Sequence, residues 1–449
     1  MPLFRLNRPV LVLASALAAL AALGMAGAAQ AQGLQALYDA ARAYDASYLA
    51  AKALAYSANF KAEQAEALRW PTLNLTGSIT RADVQTAIGI DVNSNNETAA
   101  LQLRHPLFNR ANGATIEQAR RLMAIAKADL DTAEQDLILR VAQAYFDVLA
   151  AQDALGTAQT GKKAIAEQLA SAKRNFEVGT ATITDTREAQ ARFDLSTAQE
   201  IAADNDLRTK RIALDQLVGS NGIAPRPLNT PVRLPETLPA NPDEWVSVAD
   251  GAHPLIRKAR LAQEVATLET AKAQAGNLPT VDLLASISDS HSSGAAFNPP
   301  ISRPGSTRNS SIGVQMNWAL FTGFAVQNRI KETVVLEEKA RNDTEAARRG
   351  VAQGTRQSYY GVQSLVAQVK ALEAAESSSQ LALEATQLGY KVGVRVNLDV
   401  LNAQTQLFQT RRDLAKARYD VIVTGLKLRQ ASGQLLAQDV AAVEALLAK

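Results

Sequence analysis

RNFEVGTATITDTREAQARFD, residues 174–194, lies over LGYKVGVRVNLDVLNAQTQLF, residues 388–408, at a constant offset of 214. Val178 and Val392, Gly179 and Gly393, Asp185 and Asp399, Ala189 and Ala403, and Gln190 and Gln404 coincide. The same offset carries Tyr145 onto Tyr359, Val148 onto Val362 and Gly219 onto Gly433. Upstream, Leu107-Phe108 matches Leu320-Phe321 at 213, and Pro71-Thr72 matches Pro279-Thr280 at 208. One unit of about half the chain has been duplicated. Two long copies cannot be a solenoid of roughly 20–50-residue repeats. They predict a pseudo-symmetric body instead.

Residues 1–31 read as a secretory signal, with Arg5 and Arg8 ahead of an apolar run from Val10 to Leu23 and an Ala29-Gln30-Ala31 cleavage site. That run falls short of the ~20 residues a spanning helix needs. No cysteine is present. Disulfides, a lipidated cysteine anchor and thiolate chemistry are therefore excluded. With 47 basic against 44 acidic residues the net charge is +3, too small to suggest a nucleic-acid partner. The three histidines, His105, His253 and His291, stand beside prolines or in a polar stretch, and no H-E-x-x-H, G-x-S-x-G or phosphate-binding glycine loop occurs. Neither an enzyme, a cofactor nor a metal site is expected.

Each half follows one order: helix, strand, loop, strand, very long helix, tight turn, helix. A helix over Gly33–Leu68 is predicted to end at Trp70-Pro71, where proline cannot continue it. The period then becomes two. Leu73, Leu75, Gly77 and Ile79 face one way, with Thr72, Asn74, Thr76, Ser78 and Thr80 facing the other. A polar loop, Gly89–Glu97, precedes a second strand in which Leu101 and Leu103 alternate with Gln102 and Arg104. The second half repeats this with Val281, Leu283, Ala285 and Ile287, a loop at His291–Asn309, and Ile312, Val314, Met316, Trp318 and Leu320. The alternation fits a half-buried sheet of a soluble domain. It also fits barrel strands with lipid on one side and a wet lumen on the other. The export signal, an uncharged hydroxyl-rich polar face, and Trp70, Phe108, Trp318 and Phe321 at strand ends favour the barrel. Four strands cannot close one, and an open edge is forbidden in lipid, so the barrel must be shared.

The second hairpin is 5 residues longer, a surplus assigned to its loop. Gly113–Val178 contains no proline and predicts a helix of about 100 Å. Ile116, Ala119, Met123, Ala126, Leu130, Ala133 and Leu137 form a seam stepping by three and four. The shorter helices Gly33–Leu68 and Asp185–Gly219 together nearly match it in length, as if stacked end to end beside it.

These residues resemble the TolC family of outer-membrane exit ducts. The resemblance covers nearly all of Gln32–Val440 and rests on the duplicated order, the Leu-Phe after each second strand, and the paired turns around Val178-Gly179 and Val392-Gly393. It implies a mainly α fold with a small β part, in duplicated helix–strand–strand–helix halves. Three chains share a 12-stranded β-barrel in outer-membrane lipid, continued by a 12-helix periplasmic α-barrel. It further implies a homotrimer docked by a periplasmic adaptor attached to an inner-membrane pump, in drug efflux or type I secretion. Carried over residue by residue, gate contacts fall on Gln168, Thr184, Asp185, Tyr390 and Arg395, with the Tyr390 phenol donating to Asp185 and the Arg395 guanidinium bonded to Thr184 and Asp185. Apart from the resemblance, Asp185 also reads as a helix N-cap. The pore constriction falls on Asp399 and Asn402. The family has a second acid at the latter position, so a weaker negative collar is expected. Adaptor docking falls on Val178, Gly179, Thr180, Val392, Gly393 and Val394; as plain sequence the glycines read as helix C-caps.

The expected organisation is a signal peptide at 1–31, a first repeat at 32–223 with strands near 71–82 and 98–108, and a proline-rich connector at 224–242. A second repeat at 243–440 has strands near 279–290 and 310–321, and a tail occupies 441–449. Alternatives are a periplasmic coiled-coil adaptor, which would need more short strands, and the heavy-metal branch of the same family, whose members often carry an N-terminal lipidated cysteine.

Overall fold

The computed structural model describes residues 32–85, 91–229, 231–232, 238–294 and 305–448; the signal at 1–31 lies outside them. The first repeat contains α1 (Leu34–Tyr44), α2 (Ala46–Glu66), a 3-10 turn, β1 (Thr72–Gln85), β2 (Asp91–Phe108), α3 (Arg110–Glu177) and α4 (Ile183–Val218). The second contains α5 (Pro242–Ala252), α6 (Pro254–Gln274), a 3-10 turn, β3 (Thr280–Gly294), β4 (Gly305–Asn317), α7 (Ala325–Lys391) and α8 (Asn397–Ala431), and α9 (Ala437–Glu444) follows. The copies match almost residue for residue in length: α3 has 68 residues and α7 67, while α4 has 36 and α8 35.

The predicted helix over 33–68 is interrupted at Asp45, and its duplicate at His253. Each break is chemically specified. The Asp45 carboxylate accepts from the Tyr48 N–H at 2.8 Å, and His253 Nδ1 accepts from Leu255 N–H beside Pro254. Asp45 is buried and takes a two-pronged contact from Arg140 at 2.8 and 3.0 Å. That guanidinium holds its carboxyl below the usual range. A lowered pKa stabilises the fold above the ordinary carboxylate value, and the contribution fades as pH falls through the lowered one. Asp45→Ala removes the cap and the pair together. Because Arg140 can rehydrate, it is expected to cost about 1–3 kcal/mol, read as a lower melting temperature at pH 7.

Two compact units emerge. One carries the sheet and comprises residues 50–132 and 250–352; the other comprises residues up to 49, 133–249 and those from 353 on.

In the sheet unit four antiparallel strands run in the order β1-β2-β3-β4. Leu75 pairs with Leu101, Leu101 with Ile287, and Ala285 with Ile312, which stacks the apolar residues on one face. That face is bare: Leu75 is 78% exposed, Ile79 80% and Ile312 78%. It ends abruptly. On the same face Glu97 stands opposite Ile79, and beyond Ile79, Ile287 and Ile312 come Arg81 and the cross-strand ion pair Arg308–Asp289 at 2.9 Å. The apolar stretch Leu73–Ile79 spans ~20 Å along a strand, near the ~25 Å of a barrel's lipid band.

Three sequence expectations change here. The presumed loops are partly strand: β2 already starts at Asp91, where Asn93–Glu97 pair with Ile79–Asp83, while 291–294 and 305–309 extend β3 and β4. Backbone pairing carries these polar residues into the ladder beyond the apolar band. β4 ends at Asn317, so Leu320 and Phe321 lie past the strand. The polar face is not uncharged, since Arg104 and Asp282 form a 2.7 Å ion pair across β2 and β3. The aromatic residues also gather at one end: Trp70 precedes β1, Phe108 closes β2, and Trp318 follows β4, with its indole N–H on the Asn277 carbonyl. The inter-strand connections, 86–90 and 295–304, lie outside the described residues, as does the segment that holds the five-residue surplus.

In the helical unit, α4 meets the end of α1. A Cβ on Gly219, which has φ +76°, would fall 2.5 Å from the Tyr44 ring. The end-to-end stack expected of helices over 33–68 and 185–219 is thus altered: α4 meets the break after Tyr44 rather than an end of the predicted 33–68 helix. Of the predicted seam, Ile116 and Leu137 are buried and the positions between them half-buried.

The duplicated tyrosines have a matching task. The Tyr145 hydroxyl donates to the Arg226 carbonyl and accepts from its N–H, and Tyr359 donates to the Ala240 carbonyl, so each long helix pins one part of the proline-rich connector. The connector is not free-standing. Gln32 pairs with it at Pro225, and Leu228 pairs with Leu447. The presumed tail at 441–449 therefore does structural work. It supplies the end of α9 and a short pairing with the connector, closed by Ala448 N–H on the Pro227 carbonyl at 2.8 Å.

Candidate functional site

The two tight turns of the helical unit are built alike. Asn175 and Gly389 each offer a carbonyl to an N–H five residues on, that of Thr180 at 2.8 Å and of Val394 at 2.9 Å. Gly179 and Gly393 sit between, with φ +80° and +81°, conformations in which an L side chain is strained. Apart from the adjoining residues of the chain, no atom of the described residues lies within 4 Å of where a Cβ would be on either glycine. Around them Val178 is 73% exposed, Val392 67% and Val394 76%, with Thr180 beside Gly179 also exposed. These apolar side chains are thus presented to solvent on the turn rather than to a core.

After the turns the copies diverge. Helix α4 is capped by Thr182, whose hydroxyl accepts from Asp185 N–H at 3.2 Å and donates to the Asp185 carboxylate at 2.7 Å. Asp185 is thus the third helical residue of a capping box, not the N-cap itself. In the second copy Val396 stands at the cap and has no hydroxyl. Among the described residues the Asp399 carboxylate receives only the Val396 N–H at 3.4 Å and the Arg395 guanidinium at 3.7 Å.

The predicted gate residues are only partly joined within one chain. Gln168 donates to the side chain of Asn397, a buried amide whose own N–H reaches the Asp185 carbonyl at 3.3 Å. That ties α3, α4 and α8 together over the cluster of Ile165, Leu169, Ala172, Ala189 and Leu401. Tyr390 does not reach Asp185. Its ring packs on Leu383, Val400 and Leu407, and its hydroxyl accepts from Asn175 at 3.1 Å. Arg395 turns to Asp399 rather than to Thr184, which is exposed in the first turn of α4. Asn402 accepts from Arg192 at 2.9 Å.

Sequence reasoning missed Asn175, Asn397 and Arg192. Their counterparts in the other copy are Gly389, Ile183 and Gln406, but most aligned positions differ, so the sequence alone did not single them out. Among the described residues no cluster of His, Cys, Asp or Glu could hold a metal, and no helix is long and apolar enough to cross a membrane.

A duplicated pair of long helical hairpins, joined to a four-stranded sheet with a bare apolar face and open edges, is the architecture of a barrel-forming outer-membrane channel subunit. The model of the outer membrane efflux protein family matches residues 37–220 and 245–434, and the chain belongs to that family. It is similar to the outer membrane protein TolC of Vibrio cholerae, 31% identical over 95% of this chain and 96% of the relative. It is also similar to the alkaline protease secretion protein AprF of Pseudomonas aeruginosa, 30% identical over 83% and 76%. The solved structure of the outer membrane protein VceC of Vibrio cholerae superposes with a TM-score of 0.75 at 21% identity, covering 89% of this chain and 96% of that one. The open-state MtrE channel of Neisseria gonorrhoeae gives 0.72 at 22%, covering 90% and 89%. The protein is an outer-membrane exit duct of a Gram-negative bacterium that extends into the periplasm, and its relatives are channel proteins.

Proposed function

We propose that three copies of this chain, each cleared of its signal at 1–31, close one passive pore without enzymatic activity. The observation that carries this reading is the pair of open sheet edges. The outer edges of β1 and β4 leave rows of backbone N–H and C=O groups unpaired beside a face of exposed Leu, Ile, Val and Met. Such edges cannot persist in hydrocarbon, where each unmatched group costs several kcal/mol. Pairing β4 of one protomer with β1 of the next satisfies all of them and yields twelve strands, four from each chain.

In this reading the turns at Val178-Gly179-Thr180 and Val392-Gly393-Val394 receive a periplasmic adaptor, which brings an inner-membrane pump. Gln168, Asn397 and the Asp185 carbonyl hold the resting tip together; Tyr390 and Arg395 would exchange their contacts with Asn175 and Asp399 for bonds across neighbouring chains, with the exposed Thr184 as a further partner. Asp399 and Asn402 line the constriction. The duct serves efflux or type I secretion according to the pump that recruits it, a breadth supported by relatives named for each role.

Planar-bilayer recordings test the pore. The purified protein is expected to give discrete conductance steps, and Asp399→Asn to lower cation preference. Absence of channel steps in correctly assembled protein would contradict the reading, and an unaltered preference would remove Asp399 from the constriction.

A further inference from the structure

We infer that Arg192 sets the ionic preference of the constriction, making it close to neutral and permeable to small anions; the inference rests on the placement of Asp399 and Asn402 just proposed. In the turn just before α8 and along its start, Arg395, Asp399 and Asn402 follow one another three or four residues apart. Arg192 of α4 completes the row by donating from Nη2 to the Asn402 side-chain oxygen at 2.9 Å, in an exposed contact.

Three observations make Arg192 the deciding residue. First, it is bonded to an amide, and no carboxylate lies in ion-pair range of it among the described residues, so its charge is uncompensated by direct contact. Asp194, two residues on, is engaged by Gln190 instead. Second, the one acid of α8 in this row already faces a cation, Arg395, at 3.7 Å. Third, the duplication shows what is unusual. The counterpart of Arg192 is Gln406, which donates to Thr410 on its own helix, and the counterpart of Asn402 is Glu188, one turn before Arg192 on α4.

The signs of Arg192, Arg395, Asp399 and Glu188 cancel within each chain. With glutamine at 192 and aspartate at 402 the same set would carry two negative charges per chain. Over the described part of the sheet, the proposed lumen adds no net charge. The polar face of the sheet between Thr72–Ser78 and Gln315–Ser311 carries hydroxyls and amides plus the self-neutralising Arg104–Asp282 pair. Close-range charge in a narrow, poorly screened passage dominates which ion enters.

The experiment is a salt-gradient reversal-potential measurement in planar bilayers, with KCl, on wild type, Arg192→Gln, Arg192→Lys, Asn402→Asp, Asp399→Asn and the double variant Arg192→Gln with Asn402→Asp, each first shown to give a heat-modifiable oligomer. Wild type is expected to pass potassium and chloride within about threefold of one another. Arg192→Gln should raise the potassium preference at least about threefold, Arg192→Lys should leave it unchanged, and Arg192→Gln with Asn402→Asp should raise it furthest. An unaltered ratio in Arg192→Gln, with Asp399→Asn still shifting selectivity, overturns the role of Arg192 and leaves the constriction intact. No shift in any variant overturns both. A wild type strongly selective for cations also overturns the inference.

Discussion

Gly393→Arg is expected to give a channel that inserts and assembles normally but exports nothing. The position has φ +81°, with its N–H bonded to the Tyr390 carbonyl at 3.1 Å, so any L residue there carries ~1–2 kcal/mol of backbone strain. No neighbour lies within 4 Å of the missing Cβ, so the fold itself has room for a side chain. What a long charged chain disturbs is the outside of the turn, between the exposed Val392 and Val394. A partner seated on that backbone loses a central contact, a loss of about 2–4 kcal/mol, or some 30–1000-fold in docking. Gly393→Ala separates the causes, since it carries the same strain with little bulk. Export retained in Gly393→Ala and lost in Gly393→Arg, at equal amounts of assembled channel in the membrane, assigns the turn to docking. Equal loss in both assigns it to local conformation. Failure of Gly393→Arg to assemble would make the turn a folding element.

The second large effect is expected at the sheet. Leu75→Arg places a guanidinium in the middle of the apolar face, where Leu75 is 78% exposed opposite Leu101. At the bilayer midplane such a change costs ~2–4 kcal/mol per chain, and a shared barrel takes it once for every protomer. The heat-modifiable oligomer should disappear from the outer-membrane fraction. Asn74→Arg, one residue away on the opposite face, is the control. It puts the same charge toward the polar side, and assembly should survive. Equal damage from both would mean that the sheet does not present one face to lipid.

Much of this organisation was legible in the residues themselves. The constant offset between 174–194 and 388–408 fixed the duplication, and the period-two runs at Leu73–Ile79 and Ile312–Met316 located the core of each strand. Polarity misled where backbone pairing prevails over composition. Asn93–Asn96 looked like a loop but continues a ladder already set in register by the apolar rows. The break at Asp45 was hidden because alanine-rich sequence flanks it; its local cap on Tyr48 is joined by a contact with Arg140, 95 positions away in the chain, that only the fold supplies. The tail at 441–449 could not be read as structural, because its pairing partner at Pro227–Asn229 is distant in sequence. At the tips, the turns and their glycines were readable from local chemistry. Asn397, buried between Gln168 and Asp185, was not, since only the fold brings those three together.

The central claim concerns how many chains make one barrel, and native mass spectrometry of the protein released from detergent micelles measures that number directly. A complex of three chains that holds together only in detergent or lipid, and collapses to single chains on boiling, is the predicted result. A stable, detergent-free single chain with its sheet intact would contradict it, because the β1 and β4 edges would then need no neighbour.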